Sequence, residues 1–282
     1  MEYSFTNRHQ NEIGRSPVHI YLAPHPLLRP YIAHYTLTHP NFEAQMPSRL
    51  ALVPDASGCF IFTLDNKLSS ILYGATTRVV VVESDFNEAP VRLFVEFLPG
   101  GLSRFVGDCQ DELTDRRMTV EEVCPALYAG VREAAEGAKD LDELVMRVDR
   151  LLLSMLPDED THMLSHAVAL LKQQGGSLPV AELSRLLCYS ERQINRLFNA
   201  KVGMGVKKFS RLLRVNGAIQ RMNIGEGSLT DLAQDSGFYD QAHFIRDFKE
   251  VCGTTPRQYL LNMSGFYNET LKFSDILKKT VK

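Results

Sequence analysis

The pattern of hydrophobic and polar positions changes near Leu102. Before this residue, short runs of β-branched or aromatic residues are separated by Pro, Gly, Asn and Asp, which is typical of strands joined by turns. No helical pattern lies between these runs, and this favours an antiparallel sheet over a parallel one. The predicted strands are Val18–Leu22, Ser48–Pro54, Cys59–Leu64, Val79–Val82 and Val91–Phe97.

After Leu102, hydrophobic residues recur at the spacing of amphipathic helices. We predict a short helix over residues 119–134 and a longer one over Leu141–Met155, which ends before Pro157. The segment Pro157–Asp160 is the predicted domain boundary. Beyond it we predict helices at His162–Gln174, Pro179–Leu187, Ser190–Lys201, Phe209–Met222, Leu229–Ser236, Asp240–Val251 and Pro256–Met263, and an amphipathic tail at Thr270–Val281.

These patterns predict an α+β protein. Residues 1–158 are expected to form an antiparallel β-barrel or sandwich with flanking helices, and residues 159–282 an all-α domain. The length of 282 residues agrees with two domains. With 44% hydrophobic and 23% charged residues, the composition is that of a folded protein and excludes a disordered chain.

The sequence gives no sign of secretion or membrane insertion. Its polar start lacks the pattern of a signal peptide, and its longest apolar runs are far too short to span a membrane. Five scattered cysteines form no CxxC pair, so neither a disulfide framework nor a zinc finger is indicated. We therefore expect a protein of the reducing cytoplasm.

Charge is distributed unevenly between the two predicted domains. Residues 1–159 carry a net charge of −9 and residues 160–282 a net charge of +6, within a total of −3. A basic end on an otherwise acidic chain favours a polyanionic partner such as nucleic acid. The alternative is ordinary scatter of surface charge.

A repeat with an offset of 50 residues lies within the basic part. Ile194, Arg196, Phe198 and Gly203 correspond in this way to Phe244, Arg246, Phe248 and Gly253. Each copy reads as a short helix, a turn, a second helix and a closing Gly, and the second helices begin after Ser190 and Asp240, both good N-cap residues. This predicts two helix-turn-helix units, at about 178–201 and 228–251.

Each predicted second helix has a polar face opposite its apolar face. In the first unit this face holds two Arg and two Asn, residue types that pair with guanine and adenine edges. In the second unit Ala242, Arg246 and Lys249 point away from the apolar pair, with Gln241 and His243 beside them. The alternatives are an ordinary solvated face and, for His243, packing on its own unit.

These residues resemble the DNA-binding domain of AraC/XylS-type transcription regulators over roughly residues 160–262. The segment 235–249 followed by Gly253–Tyr259 is similar to the second signature of that family, and Ser190–Phe198 with Gly203 is similar to the first. The resemblance implies that the two units enter successive major grooves of double-stranded DNA. It places base contacts at Arg192, Asn195, Arg196, Gln241, Ala242 and Arg246, although Ala242 and the turn at Leu187 and Cys188 depart from the family pattern.

A second set of residues is expected to contact the DNA backbone rather than the bases. The long side chains at the start of the connecting helix and near the recognition helices suit phosphate oxygens, and their alternative role is to keep the helices soluble. The set is Ser190, Asn199, Lys207, Lys208, Arg211, His243 and Lys249.

The N-terminal part resembles the cupin-type regulatory domains of such proteins only loosely, through Phe97–Leu102 and Glu112–Asp115. His19, His25, His34 and His39 lack the HxH spacing of a cupin metal site, so we predict no metal and no cofactor. No Ser/His/Asp or Cys/His set can be placed, and the isolated cysteines argue against an alkyl-transferring repair enzyme. We therefore expect no catalytic residues and no enzyme.

The N-terminal domain has two remaining roles to choose between. It either binds a small effector, with candidate contacts at Phe60, Phe62, Tyr73, Arg92, Phe94 and Glu96, or serves dimerisation or protein binding alone. For each aromatic residue, packing in the core is the alternative. The sequence thus predicts a DNA-binding transcription regulator that is controlled by an effector, and its alternative is a regulator whose N-terminal domain serves only dimerisation or protein binding. A second copy of the chain is a further candidate partner, as is RNA polymerase if the protein is an activator.

Overall fold

The computed structural model describes residues 8–16, 18–38, 49–65, 67–83, 91–107, 109–158, 162–223 and 228–262. The predicted tail Thr270–Val281 lies outside these residues. Within them, none of the helices is long and apolar enough to cross a membrane.

The N-terminal part is built on antiparallel strands. The strands are β1 (Glu12–Arg15), β2 (His19–Leu22), β3 (Ile32–Thr38), β4 (Arg49–Leu52), β5 (Cys59–Leu64), β6 (Ser69–Tyr73), β7 (Val80–Glu83), β8 (Val91–Phe97) and β9 (Arg117–Met118). Seven of them form one sheet in the order β1-β2-β3-β8-β5-β6-β9, while β4 and β7 pair only with each other. The predicted antiparallel sheet is confirmed, but the expected barrel is not closed, because the end strands β1 and β9 do not pair within the described residues.

Helices cover one face of this sheet. They are α1 (Ser103–Val106), α2 (Gln110–Leu113), α3 (Val120–Val123), α4 (Pro125–Gly137) and α5 (Leu141–Met155). The prediction of a single helix over residues 119–134 is wrong, because α3 ends before Cys124 and a new helix begins at Pro125. Apolar side chains from α3–α5 and from the inner sheet face, such as Phe60, Phe62 and Leu93, share one buried cluster.

The described residues of the C-terminal part, 162–223 and 228–262, form helices and no strand, as predicted. They are α6 (His162–Gln173), α7 (Val180–Leu187), α8 (Glu191–Val202), α9 (Val206–Asn223), α10 (Leu229–Asp235), α11 (Gln241–Cys252) and α12 (Pro256–Asn262). Their apolar faces form a second buried cluster around Phe198, Phe209, Phe244 and Phe248. Two residues of the N-terminal part, Ala56 and Ala75, belong to this second cluster.

Candidate nucleic-acid interface

The first helix-turn-helix unit consists of α7, a tight turn and α8. The turn is made at Cys188, which adopts a left-handed conformation (φ +58°). Ser190 caps α8 by accepting a hydrogen bond from the Gln193 amide, and Gln193 bonds back to Ser190. The side chains of Ile194 and Phe198 are fully buried beneath α8.

The second unit repeats this arrangement with α10 and α11. Here the left-handed turn residue is Gly237 (φ +75°), which adopts such a conformation at little steric cost. Asp240 caps α11 through the amide of His243, as Ser190 caps α8. Phe244 and Phe248 are buried, so the fold brings the two repeat copies into matching environments.

The recognition helices α8 and α11 expose the face that the sequence assigns to DNA. Five of the six predicted base-contacting residues are exposed: Arg192, Arg196, Gln241, Ala242 and Arg246. The N-terminal domain contacts other parts of both helices, so these five residues are open to a double helix.

Asn195 differs from the other predicted base contacts. It is half-buried, its Oδ1 accepts a hydrogen bond from the Val206 amide at 3.1 Å, and its Nδ2 donates to the Glu191 carbonyl at 3.0 Å. The Oδ1 bond thus ties α8 to the start of α9, and the Nδ2 bond lies within α8 itself. We therefore remove Asn195 from the expected base contacts.

The predicted backbone contacts separate into two groups. Asn199, Lys207, Lys208 and Lys249 are exposed. Ser190 is exposed as well, but its hydroxyl is engaged in the helix cap. Arg211 and His243 instead contact protein carboxylates, and the acid that joins them is Asp247.

Asp247 holds α11 against α9 and was missed by the sequence analysis. It is only 4% exposed, and its carboxylate lies 3.5 Å from Arg211 Nε, 3.5 Å from Arg214 Nη2 and 3.2 Å from His243 Nε2. Arg211 also forms an ion pair with Glu250. The signal in the sequence is a break in the repeat, since an acid stands at Asp247 where the residue 50 positions earlier is the apolar Leu197.

The N-terminal domain contacts the C-terminal end of each recognition helix. Beyond α8, the Gly203 carbonyl accepts a hydrogen bond from Thr114 Oγ1 at 2.8 Å. In the last turn of α11, the Val251 carbonyl accepts one from the Val79 amide at 3.0 Å. On α9, which joins the two units, Asn216 Nδ2 donates to the Pro54 carbonyl at 2.9 Å.

Two segments supply the contacts of Val79 and Thr114, and they are hydrogen-bonded to each other. The Thr77 amide and hydroxyl donate to the Asp115 carboxylate at 2.7 and 2.6 Å, and the Asp115 amide donates to the Ala75 carbonyl. Asp115 has φ +58°, a left-handed conformation that is costly for a residue other than Gly. We call residues 75–79 and 110–115 the interdomain clamp.

The six candidate effector contacts divide between the two faces of the sheet. Phe60 and Phe62 point into the apolar cluster, are fully buried, and contact each other at a ring-centroid distance of 6.3 Å. They pack in the core rather than line a cavity. The other four candidates are half-buried and share the opposite face: Tyr73, Arg92, Phe94 and Glu96.

The opposite face, which we call the polar sheet face, continues onto β2 and β3. Across β3 and β8, His34, Thr36 and Thr38 lie opposite Glu96, Phe94 and Arg92, respectively. His34 and Thr36 are buried although they lie on the face away from α3–α5. Burial lowers the pKa of Arg92. Burial is also the main cause of the raised pKa of Tyr73.

The described residues offer little support for metal-binding or disulfide chemistry. No group of three or more His, Cys, Asp or Glu side chains there could hold a metal ion, and the expected absence of a metal stays a prediction. All five cysteines are free thiols.

Comparison with known proteins adds two matched families. Residues 183–262 match a family described as a helix-turn-helix domain, and residues 21–119 match a domain of unknown function, DUF6597. An uncharacterized HTH-type transcriptional regulator of Staphylococcus aureus is 32% identical over 82 residues, which cover 29% of this chain and 11% of that protein. Another, from Haemophilus influenzae, is 24% identical over 106 residues, covering 38% of this chain and 36% of that protein. The chain thus spans only a small part of the curated relatives that it matches.

Among solved structures, ToxT from Vibrio cholerae O395 is similar with a TM-score of 0.41 and 16% identity, over 77% of this chain and 96% of ToxT. A ToxT structure with a bound unsaturated fatty acid gives a TM-score of 0.39 and 15% identity, over 78% of this chain and 93% of ToxT. The sequence resemblance stated above is confirmed by the helix-turn-helix match and by the two units in the fold. The C-terminal region of this chain, over residues 183–262, is a helix-turn-helix domain.

Proposed function

We propose that this protein is a sequence-specific DNA-binding transcription regulator and not an enzyme. The observation that carries the proposal is the pair of helix-turn-helix units whose recognition helices have four exposed polar residues, Arg192, Arg196, Gln241 and Arg246. Arg pairs in a bidentate manner with guanine and Gln with adenine, so such faces suit the major groove. Ala242 leaves room for close approach or contacts a thymine methyl group.

Lys207, Lys208, Asn199 and Lys249 are proposed to contact phosphates, because they are exposed and flank the recognition helices. Arg211 and His243 are proposed instead to hold α11 in place through Asp247. Double-stranded DNA is therefore the proposed partner. Homodimerisation and contact with RNA polymerase stay predictions.

Selection of a binding site from random duplexes, followed by hydroxyl-radical footprinting with the full chain, tests this function. Two units on one face of DNA should protect two patches about 10 base pairs apart. A single protected patch would remove one unit from the interface. A failure to enrich any sequence would contradict specific DNA binding.

For the N-terminal domain, we propose that a small effector binds at the polar sheet face. The supporting features are the half-buried Arg92 and Glu96 as polar contacts, with Tyr73 and Phe94 as apolar ones. Small-molecule sites combine apolar and aromatic side chains with a few polar groups that fix the orientation of the ligand. Phe60 and Phe62 are not part of this proposal, because they belong to the core.

The fold offers a direct connection from this face to the DNA-binding domain. Tyr73 ends β6, and Ala75, two residues later, is buried in the C-terminal cluster. Cys59 pairs with both Tyr73 and Glu96. Ala56, which precedes β5, is also buried in the C-terminal cluster. An effector that favours one arrangement of these loops would shift the population of domain arrangements, provided that its affinity differs between them.

Thermal-shift screening of the full chain against metabolites, with wild type and Arg92→Gln compared, tests effector binding. A ligand at 100 times its Kd should stabilise the wild type by about 2.7 kcal/mol, and Arg92→Gln should lose the shift. A stabilisation that is equal in both proteins would place the ligand elsewhere. If no ligand is found and gel filtration shows a stable complex with itself or another protein, the dimerisation or protein-binding role replaces the effector role.

A further inference from the structure

A cavity lies on the side of the N-terminal sheet that is opposite the polar sheet face, between α5 and the sheet edge at β1 and β2. It has a volume of about 530 Å³ and is lined by Leu22, His25, Asp142, Met146, Asp149 and Leu153 among others. This volume falls within the range of about 300–1,000 Å³ that is typical of small-molecule sites. We call it the α5 groove; it shares no residue with the polar sheet face.

Asp149 provides a buried carboxylate in the lining of the α5 groove. The residue is only 8% exposed, and a single carboxylate oxygen, Oδ1, accepts hydrogen bonds from the Tyr35 hydroxyl at 2.7 Å and from the His25 amide at 3.1 Å. The other oxygen, Oδ2, accepts no hydrogen bond from the described residues and yet is not among the fully buried unpartnered atoms. Asp149 lines the groove, and Oδ2 is the carboxylate oxygen that its bonds from Tyr35 and His25 leave available there.

No cation of the described residues compensates this carboxylate. The neighbouring acids have partners, since Asp142 lies 2.9 Å from His9 Nδ1 and Glu143 forms an ion pair with Arg147 at 2.8 Å. Arg150 also lines the groove but is exposed and forms no ion pair with Asp149. A largely buried charge without a counter-charge is unfavourable, and a bound cation would remove this cost.

We propose that the α5 groove binds a small organic cation with an apolar portion, its ammonium or guanidinium group on Asp149 Oδ2. The apolar portion would lie along Leu22, Met146 and Leu153. Met146 is 49% exposed without a ligand, so a ligand there would cover apolar surface as well as satisfy the carboxylate. This site is independent of the effector site proposed above and does not require DNA binding.

Isothermal titration calorimetry of the full chain with three matched probes tests the proposal. 4-Phenylbutylamine, 4-phenylbutanol and 4-phenylbutyrate share one apolar portion and differ in charge. The amine should bind about 30-fold more tightly than the alcohol, because only the amine pairs with the buried carboxylate. The carboxylate probe should bind most weakly of the three.

Asp149→Asn removes the charge but keeps an oxygen that accepts the bonds from Tyr35 and His25. It should weaken amine binding about 30-fold and leave alcohol binding nearly unchanged. Glu133→Gln, an equal change of charge on an exposed residue of α4, is the matched control and should leave amine binding unaltered. Met146→Arg, which places a cation at the exposed rim without touching the core, should abolish amine binding even if Asp149→Asn fails to fold.

Several results would overturn the proposal. They are the absence of amine binding at millimolar concentration, equal affinity for amine and alcohol, or equal effects of Asp149→Asn and Glu133→Gln. Sedimentation velocity supplies one more. A dimer of the wild type that Asp149→Asn dissociates would show that a second copy, and not a small cation, occupies the groove.

Discussion

The two recognition helices have the same pattern but are held in place differently. Phe198 of α8 packs against Phe209 of α9 at a ring-centroid distance of 5.6 Å, and Asn195 fastens the adjoining turn by hydrogen bonds. The helix α11 contacts the same α9 through charges, with Asp247 between Arg211 and Arg214. At the position that corresponds to Asp247, α8 has Leu197.

This difference shows that a repeat can preserve a surface while its support changes. The exposed Arg196 and Arg246 occupy matching places, although α11 adds an ion network to the apolar packing that both helices share. Apolar packing does not respond to salt at moderate concentration, whereas partly exposed ion pairs are screened. The second unit is therefore the one whose position should depend on ionic conditions.

Asp247→Asn should produce the largest effect, because it leaves Arg211, Arg214 and His243 facing a neutral amide. We expect a loss of about 2 kcal/mol in the free energy of unfolding, since a buried charged hydrogen bond is removed while its partners stay partly exposed. Urea unfolding at low and high salt measures it, and the loss should shrink as salt rises. Leu197→Ala is the matched variant in the first unit, and its loss should not change with salt. Equal salt responses would contradict the proposed difference between the units.

Gly203 and Gly253 close the two recognition helices and differ in their surroundings. Both have a left-handed φ, +84° and +69°, so an Ala at either position should cost about 1 kcal/mol of stability. A Cβ on Gly203 would also lie 2.2 Å from Thr114 Oγ1 and 2.8 Å from the Gln110 carbonyl oxygen, whereas one on Gly253 meets nothing within 4 Å. Gly203→Ala should therefore lose about 2 kcal/mol in total, as overpacking adds to the backbone cost. Equal losses in urea unfolding would argue against tight contact between the interdomain clamp and α8.

The turn residues Cys188 and Gly237 offer a smaller comparison. Cys188 is strained at φ +58°, while Gly237 adopts its conformation freely. Cys188→Gly should stabilise the protein by about 0.5–1 kcal/mol, and Gly237→Ala should destabilise it by a similar amount. Opposite shifts of the melting temperature check both expectations, and a destabilising Cys188→Gly would mean that its side chain contributes more than the strain costs.

Thiol reactivity gives the smallest and most local distinction between the units. Burial raises the pKa of Cys252 from 9.0 to about 12, whereas Cys188 is exposed. In the native protein Cys252 should resist a thiol reagent at neutral pH that modifies Cys188 quickly. Because the folded pKa of Cys252 is the higher one, the stability linked to its neutral thiol is complete below pH 9 and is lost as pH rises toward 12. Rapid labelling of Cys252 at neutral pH would show that the end of α11 opens readily.

The helical half of the fold follows closely from the sequence, and the sheet follows only in part. Each helix from α6 to α12 has an apolar face at regular spacing, and its predicted ends lie within a few residues of the observed ones. Strand β1 (EIGR) is mostly polar, and β9 has only two residues, which pair with β6. Strand β3 was not predicted, because His34, Thr36 and Thr38 are polar, although the strand is largely buried.

The candidate DNA interface could be predicted because it depends on helix phase, which the sequence contains. Its supports could not, because they depend on contacts between distant segments. The bonds of Asp247 to Arg211 and Arg214 span more than thirty residues, and the contact between Thr114 and Gly203 joins two domains. Asn195 was placed with the base contacts by helix phase and by the family resemblance, and neither reveals its hydrogen bond from the Val206 amide.

The central claim is that both units read bases, and one measurement tests it most directly. Fluorescence anisotropy would compare wild type, Arg196→Ala and Arg246→Ala on a selected duplex and on a scrambled one at fixed salt. We expect each variant to lose about 1–3 kcal/mol on the selected duplex and little on the scrambled one. Equal losses on both duplexes would make these residues phosphate contacts, and no loss for either variant would contradict the account.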